Sequence, residues 1–134
     1  IGVMTLIEAA VQVRRRAYAP YSGYSVGAAI RDDRGLIHMG CNVENISYGG
    51  CICAERSAAV RMIAEGGRRV REIAVATIDR GAPCGICLQF LAEFTEGDVL
   101  VHLVDQSGTV ETLRFDELLP HGFVSEAVSR TDRP

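Results

Sequence analysis

The feature that most constrains this fold is a set of three cysteines, Cys53 and the pair in Cys84-Gly85-Ile86-Cys87, each placed where a helix should begin. Gly49 and Gly50 break the chain ahead of Cys53, after which Ala54, Ala58, Ala59, Met62 and Ile63 recur at helical spacing until Gly66-Gly67. Pro83 introduces a second helical pattern over residues 84–96. Between the two lies Ile73-Ala74-Val75-Ala76-Thr77-Ile78, a continuous β-prone run typical of a strand buried on both faces. A Cys-x-x-Cys pair on a first helical turn can point both sulfurs at one ion, and a third sulfur from another helix start completes three tetrahedral corners. A fold that uses all three therefore has to bring two helix starts together.

The rest of the chain reads as an alternation of helices and strands. Leu6, Ile7, Ala10, Val11, Val13 and Ala17 predict a helix over residues 4–18, stopped by Pro20. Tyr24–Arg31 and Gly35–Asn42 flank the turn signal Asp32-Asp33-Arg34-Gly35 and read as a hairpin. Asp79–Pro83 is a loop, Val99–Val104 a buried strand, Thr109–Arg114 a further strand after the Gln106-Ser107-Gly108 turn, and Phe115–Leu119 a short helix closed by Pro120. This order implies helices packed on a mixed sheet, an α/β architecture, although pattern alone does not give the pairing order of the strands. With 134 residues, the expectation is one domain over 1–134. Residues 1–3 precede Met4, and the sequence leaves open whether they are native.

Composition narrows the function classes. The net charge is −3 and all fourteen basic residues are arginines spread along the chain, so no basic stripe is available to neutralise a polyphosphate backbone. Arg14-Arg15-Arg16, the densest run, reads as a solvated helix face. The apolar stretches fall short of the ~18 residues that span a bilayer, and no charged leader is evident, so a cytoplasmic protein without nucleic-acid or membrane partners is expected. Five cysteines without an export signal favour metal binding or catalysis over a disulfide framework.

The site chemistry follows from Cys53-Ala54-Glu55 and, 29 positions after Glu55, the Cys84/Cys87 pair. Three thiolates suit Zn²⁺ and leave a fourth corner open for water. Helix N-termini favour thiolate over thiol and offset the charge of three sulfurs. Zinc lowers the pKa of bound water, three anionic ligands oppose this, and Arg56 is the obvious compensating cation. Glu55, two residues from a ligand, is placed to act as a proton shuttle between water, a ring nitrogen and a departing amine. Ligand-x-Glu followed by Pro-Cys-x-x-Cys is the established zinc deaminase signature, in which hydroxide attack at C4 of cytosine releases ammonia. A fully enclosed structural zinc would need a fourth ligand, for which Cys41 and Cys51 are the nearby surplus, and a Cys84–Cys87 redox pair is the other bland reading. Cys41 and Cys51 are expected to be buried small apolar residues, and His38, His102 and His121 lack ligand spacing.

The chain resembles the small cytidine deaminase family from about Tyr18 to Phe123. The matching stretches are Tyr18-Ala19-Pro20-Tyr21-Ser22, Val26-Gly27-Ala28-Ala29, Gly40-Cys41-Asn42-Val43-Glu44-Asn45, Cys53-Ala54-Glu55-Arg56, Pro83-Cys84-Gly85-Ile86-Cys87 and Leu118-Leu119-Pro120 with Phe123. The resemblance implies a three-layer α/β/α fold with a mixed sheet of about five strands. It also implies Zn²⁺ on Cys53, Cys84 and Cys87, Glu55 as acid/base, and Arg56 donating to ligand sulfurs. Tyr24, Asn42, Glu44, Ala54 and Phe123 would contact substrate, with Asn42 and Glu44 on the ribose hydroxyls. An amide and a carboxylate at alternate strand positions share one face and can bind a diol. The implied activity is hydrolytic deamination of cytidine or deoxycytidine in pyrimidine salvage, by a homotetramer in which Phe123 and Tyr48 lie near neighbouring active sites.

Two positions depart from the family pattern: Tyr24 stands where phenylalanine is usual, and Leu88 where arginine usually follows the second cysteine of the pair. A buried tyrosine hydroxyl needs a partner. Leu88 removes a positive charge beside the thiolates. Three other readings stay open: a deaminase of a modified cytosine nucleoside, such as the blasticidin S deaminases that share Tyr24-Ser25-Val26; a polynucleotide-editing deaminase; and a zinc-stabilised binding module without catalysis.

Overall fold

The structure, a computed structural model, describes residues 3–123. Its elements are α1 (Val3–Arg14), β1 (Gly27–Asp32), β2 (Ile37–Cys41), α2 (Ala54–Ala64), β3 (Val70–Ala76), α3 (Gly85–Ala92), β4 (Thr95–Val104), β5 (Val110–Arg114) and α4 (Phe115–Leu118), with a 3-10 turn at Tyr48–Gly50. The strands form one sheet in the order β2-β1-β3-β4-β5. β3 and β4 run parallel, as a strand–helix–strand crossover through α3 requires, and the other neighbours are antiparallel.

Period-two alternation along the strands builds the two cores. Ala29, Ala74, Ala76 and Val104 face Leu6, Ile7 and Ala10 of α1. Ala28, Ile30, Ile73, Val75, Val101 and Leu103 point the other way, against Ala54, Ala58, Ala59 and Met62 of α2, Leu88 and Leu91 of α3 and Phe115 of α4. The result is the expected three-layer α/β/α arrangement with a mixed five-stranded sheet. The small residues of α2 let it lie close to the sheet. A Cβ at Gly40 would come within 2.3 Å of Ala58 N and 2.8 Å of Ala54 O, so β2 touches the backbone of the very turn that carries Cys53 and Glu55. No helix among the described residues is long and apolar enough to cross a membrane.

Several boundaries move because tertiary backbone pairing outranks periodicity. α1 ends at Arg14 rather than 18, since Tyr18 N donates to Asn42 O and Tyr18 O accepts from Glu44 N, which draws the chain out of the helix. β1 begins at Gly27 rather than Tyr24, because the backbone just before it is bonded to side chains: Arg14 Nε donates to Ser25 O, and Asn42 takes Val26 N and Tyr24 O. β3 spans 70–76 instead of 73–78, α3 stops at Ala92 instead of 96, and β4 starts at Thr95 instead of Val99. The Val70–Phe94 hydrogen bond and the Val70–Thr95 pairing extend the parallel ladder backwards, which sets the earlier starts of β3 and β4 and ends α3 early.

Candidate active site

Both helix starts carry their cysteine as the capping residue. Cys53 precedes α2 with extended backbone (φ −76°, ψ 155°) and Cys84 precedes α3 likewise (φ −72°, ψ 168°). Neither side chain caps a backbone N–H of its own helix, so both sulfurs are free to turn toward each other. Cys87 follows on the first turn of α3 and is buried. The Sγ–Sγ distances are 3.9 Å for Cys53–Cys84 and 3.4 Å for Cys84–Cys87, and all three sulfurs lie within 4.8 Å of one another. Sulfurs at Zn–S bonds of about 2.3 Å on tetrahedral corners stand roughly 3.8 Å apart, so the donor set fits Zn²⁺ with little rearrangement. No fourth Cys, His, Asp or Glu joins this cluster among the described residues. Cys41 and Cys51 stay outside it; both are half-buried rather than buried as expected, and the Cys51 sulfur accepts from Asn45 N at 3.3 Å.

The electrostatics of the cluster call for a cation. A hydrogen bond from the Cys87 thiol lowers Cys53 to a pKa of about 5 against the opposing effect of burial, helped by the Arg56 guanidinium. Cys87, giving that hydrogen bond and itself buried, is pushed up. Between these two thiols the negative charge therefore falls on Cys53, and a divalent cation held by the cluster would favour thiolates. Arg56 Nη2 lies 3.8 Å from Cys53 Sγ and 3.5 Å from Cys51 O, and its buried Nε has no hydrogen-bond partner. Leu88 packs into the core cluster with α2 and the sheet, and among the described residues Arg56 is the cation at the sulfurs. Glu55, on the first turn of α2, is only 5% exposed. Burial raises its pKa to about 7, with the Cys53 charge adding to the effect.

The residues expected at the nucleoside have partners of their own. Asn42 lies one residue past β2, with Oδ1 accepting from Val26 N (2.8 Å) and Nδ2 donating to Tyr24 O (2.8 Å). Glu44 accepts from Tyr21 N (2.9 Å), Ser22 N (3.1 Å) and Ser22 Oγ. The two therefore brace the 18–26 segment, and the simple picture of alternate strand positions gives way to isolated bridges at Val43 to Tyr18 and Ile52. The Tyr24 hydroxyl donates to Asp79 Oδ1 at 2.6 Å, the partner such a hydroxyl needs. Ala54 is fully buried at the start of α2. Tyr48 is 76% exposed and meets Tyr21 edge-on. Phe123 is 76% exposed, and its backbone is held at both polar groups by the Gln89 side-chain amide (2.8 and 2.9 Å).

Sequence reasoning passed over Ser22, Thr77, Asp79 and Gln89. Gln89, two residues after Cys87 on the same helix, was the one with a positional hint; Asp79 looked like any loop acid. His38 and His102 are structural, as expected: His38 sits between Asp32 (2.7 Å) and Glu65 (2.6 Å), and His102 between Glu72 (2.6 Å) and Thr112 (2.8 Å).

A three-layer α/β/α domain that joins three cysteine sulfurs at two helix starts, with a carboxylate buried beside them, defines the zinc-dependent deaminase class. Residues 3–103 match the family model described as the cytidine and deoxycytidylate deaminase zinc-binding region, and the chain belongs to the small cytidine deaminase family. It is 39% identical over 131 residues to a cytidine deaminase of Sporosarcina psychrophila, covering 96% of each chain. It is 42% identical over 123 residues to one of Halalkalibacterium halodurans, covering 90% of this chain and 93% of the relative. Among solved structures it is similar to the cytidine deaminase of Burkholderia pseudomallei (TM-score 0.86, 42% identity, 92% of this chain and all of that one). A similar match is the enzyme of Mycobacterium tuberculosis (TM-score 0.80, 33% identity, 93% and 99%).

Proposed function

We propose that this chain converts cytidine and deoxycytidine, with water, to uridine and deoxyuridine plus ammonia. The observation that carries this reading is the three-sulfur cluster at two joined helix starts with the buried Glu55 two residues from Cys53. The named relatives, cytidine deaminases along nearly their whole length, support the substrate class. Cys53, Cys84 and Cys87 would hold Zn²⁺, which would supply Lewis-acid activation of water.

The remaining work belongs to side chains of the chain. Glu55 takes one proton from the water as the water oxygen bonds to C4 and passes it to the adjacent ring nitrogen. It then takes the second from the new C4 hydroxyl and delivers it to the amine as the C4–N bond breaks and ammonia leaves. Arg56 offsets the charge on the sulfurs. The Tyr24 ring offers a face on which the base stacks. Asn42 retains one amide N–H, and Glu44 a carboxylate, for the ribose hydroxyls. Ala54, fully buried at the first turn of α2, would shape the base side from beneath the surface.

The assembly we propose is a homotetramer in which Phe123 and Tyr48 reach neighbouring sites. The exposure of Ile46, Tyr48, Ile86, Phe90 and Phe123, large apolar side chains that water does not favour, supports self-association. Function through three reduced thiols suits the cytoplasm, and turning a free cytosine nucleoside into a uracil nucleoside suits a role in pyrimidine salvage.

The test is steady-state assay on cytidine, deoxycytidine and blasticidin S, with Glu55→Gln alongside. The expected result is turnover of the first two, and a Glu55→Gln variant that keeps its zinc but is slower by at least ~10²-fold. Preference for blasticidin S would move the substrate assignment to modified nucleosides, and a parent-like Glu55→Gln rate would remove the proton shuttle.

A further inference from the structure

We propose that the Tyr24 hydroxyl is a positioning group that ties the nucleoside side of the site to the metal-binding loop through Asp79. Tyr24 Oη donates to Asp79 Oδ1 at 2.6 Å. The same oxygen accepts from Gly81 N (3.1 Å) and Thr77 Oγ1 (3.3 Å), and Gly81 N also donates to the buried Thr77 Oγ1 (2.8 Å). Between these anchors Arg80 takes the left-handed region (φ 62°), which side chains other than glycine rarely enter, so the turn is sharp. A Cβ on Gly81 would stand 2.4 Å from Tyr24 Oη, so the hydroxyl fills the space this glycine leaves open. The turn runs on through buried Pro83 to Cys84.

On its other side Tyr24 is bound into the proposed sugar-binding group. Tyr24 N donates to Ser22 Oγ (3.0 Å), Ser22 Oγ donates to Glu44, and Tyr24 O accepts from Asn42 Nδ2 (2.8 Å). One residue thus has its main chain in the Ser22–Asn42–Glu44 network and its side-chain tip in the turn that delivers a metal ligand. Because that tip is committed to Asp79, Tyr24 addresses a base with its ring and the metal loop with its hydroxyl. Phenylalanine supplies the first contact without the second.

This inference rests on Cys84 being a zinc ligand and Tyr24 facing substrate. The test uses the zinc-loaded full chain and four variants: Tyr24→Phe, Asp79→Ala, Asp79→Asn and the Tyr24→Phe/Asp79→Ala double. Zinc transfer to a chromogenic chelator is followed beside kcat and KM for cytidine. Tyr24→Phe keeps the ring, so zinc release should rise about fivefold and kcat fall about as much with KM within about twofold, the scale of one part-exposed hydrogen bond to a charged group. Asp79→Ala, which also removes the acceptor for Gly81 N and Thr77 Oγ1, should do at least as much, and the double variant should be no worse than Asp79→Ala alone, because the Tyr24 contact is already gone there. Asp79→Asn keeps an oxygen acceptor for the hydroxyl and should stay within about twofold of the parent. Effects that multiply in the double variant, or a Tyr24→Phe change confined to KM with zinc release unaltered, would overturn the proposal. Cys84→Ser separates the two layers: parent-like zinc retention there overturns the ligand assignment itself, and with it the positioning role.

Discussion

Asp32, at the end of β1, gives the sharpest test of how this fold is held together. It is 1% exposed, and its carboxylate gathers Arg34 N (2.7 Å) and Leu36 N (3.0 Å) on Oδ1. Oδ2 takes Arg34 Nη2 (2.8 Å), Arg34 Nε (3.2 Å) and the ring of His38 (2.7 Å), which in turn reaches Glu65. Burial alone would raise the pKa of this carboxyl, but the hydrogen bonds from His38, Arg34 and Leu36 outweigh it and hold the group far below the usual carboxylate range. Asp32→Asn keeps the shape, removes the charge and turns an NH₂ group toward donors. Breaking a buried charged pair from one side costs about 3–5 kcal/mol, and the partial exposure of Arg34 places the expected loss near the lower figure. For a domain of this size about 3 kcal/mol corresponds to a Tm lower by about 10–12 °C.

The pH dependence has a definite sign. Because the folded-state pKa lies below the unfolded value of about 3.9, the carboxylate contributes stability above that value and loses it as pH falls toward the folded one. Thermal unfolding of parent and variant at fixed protein and zinc concentration should therefore show a full gap from pH 7 to about pH 5 and a shrinking gap below about pH 4. A Tm difference under about 3 °C at neutral pH, or a gap that widens on acidification, would refute this account of Asp32.

Two further outcomes probe the site through its supports. Gly40→Ala sets a methyl group against the backbone of Ala58 and Ala54, so stability should fall by about 1–3 kcal/mol. Because the displaced helix carries Cys53 and Glu55, kcat/KM should also fall at temperatures where the variant is fully folded; parent-like initial rates there would show that α2 tolerates the shift. Chelation should abolish deamination and lower Tm, with both restored by about one Zn²⁺ per chain; activity surviving complete metal removal would contradict a metal-centred site.

The readings that transferred well from sequence to structure were those with local causes. The placement of Cys53, Cys84 and Cys87 at helix starts follows from Gly49-Gly50 and Pro83 within a few residues of each, and the Ile73–Ala76 run forms the core of β3 where its pattern puts it. Residue chemistry carried the inference that the two helix starts meet, since three sulfurs with one carboxylate beside them make poor sense apart. The ends of elements transferred badly. The apolar pattern through Phe94 continues a helix on paper, yet Phe94 O is taken by Val70 N and the next residue already pairs in the parallel ladder. The spacing that singled out Asn42 and Glu44 gave no hint of their in-chain partners at residues 21–26, because nothing in it points to that segment.

The amino-acid order alone specified helix starts, buried strands, the metal-binding residue types and the acid beside them, since each depends on spacings within one turn or one pleat. Tertiary structure decided the strand order β2-β1-β3-β4-β5, the close seating of α2 on Gly40 and the joining of Tyr24 to Asp79 across 55 positions. These depend on which surfaces meet once the two faces of the sheet are covered. Chain spacing does not encode such contacts, because the free energy that selects them is released only when distant segments pack together.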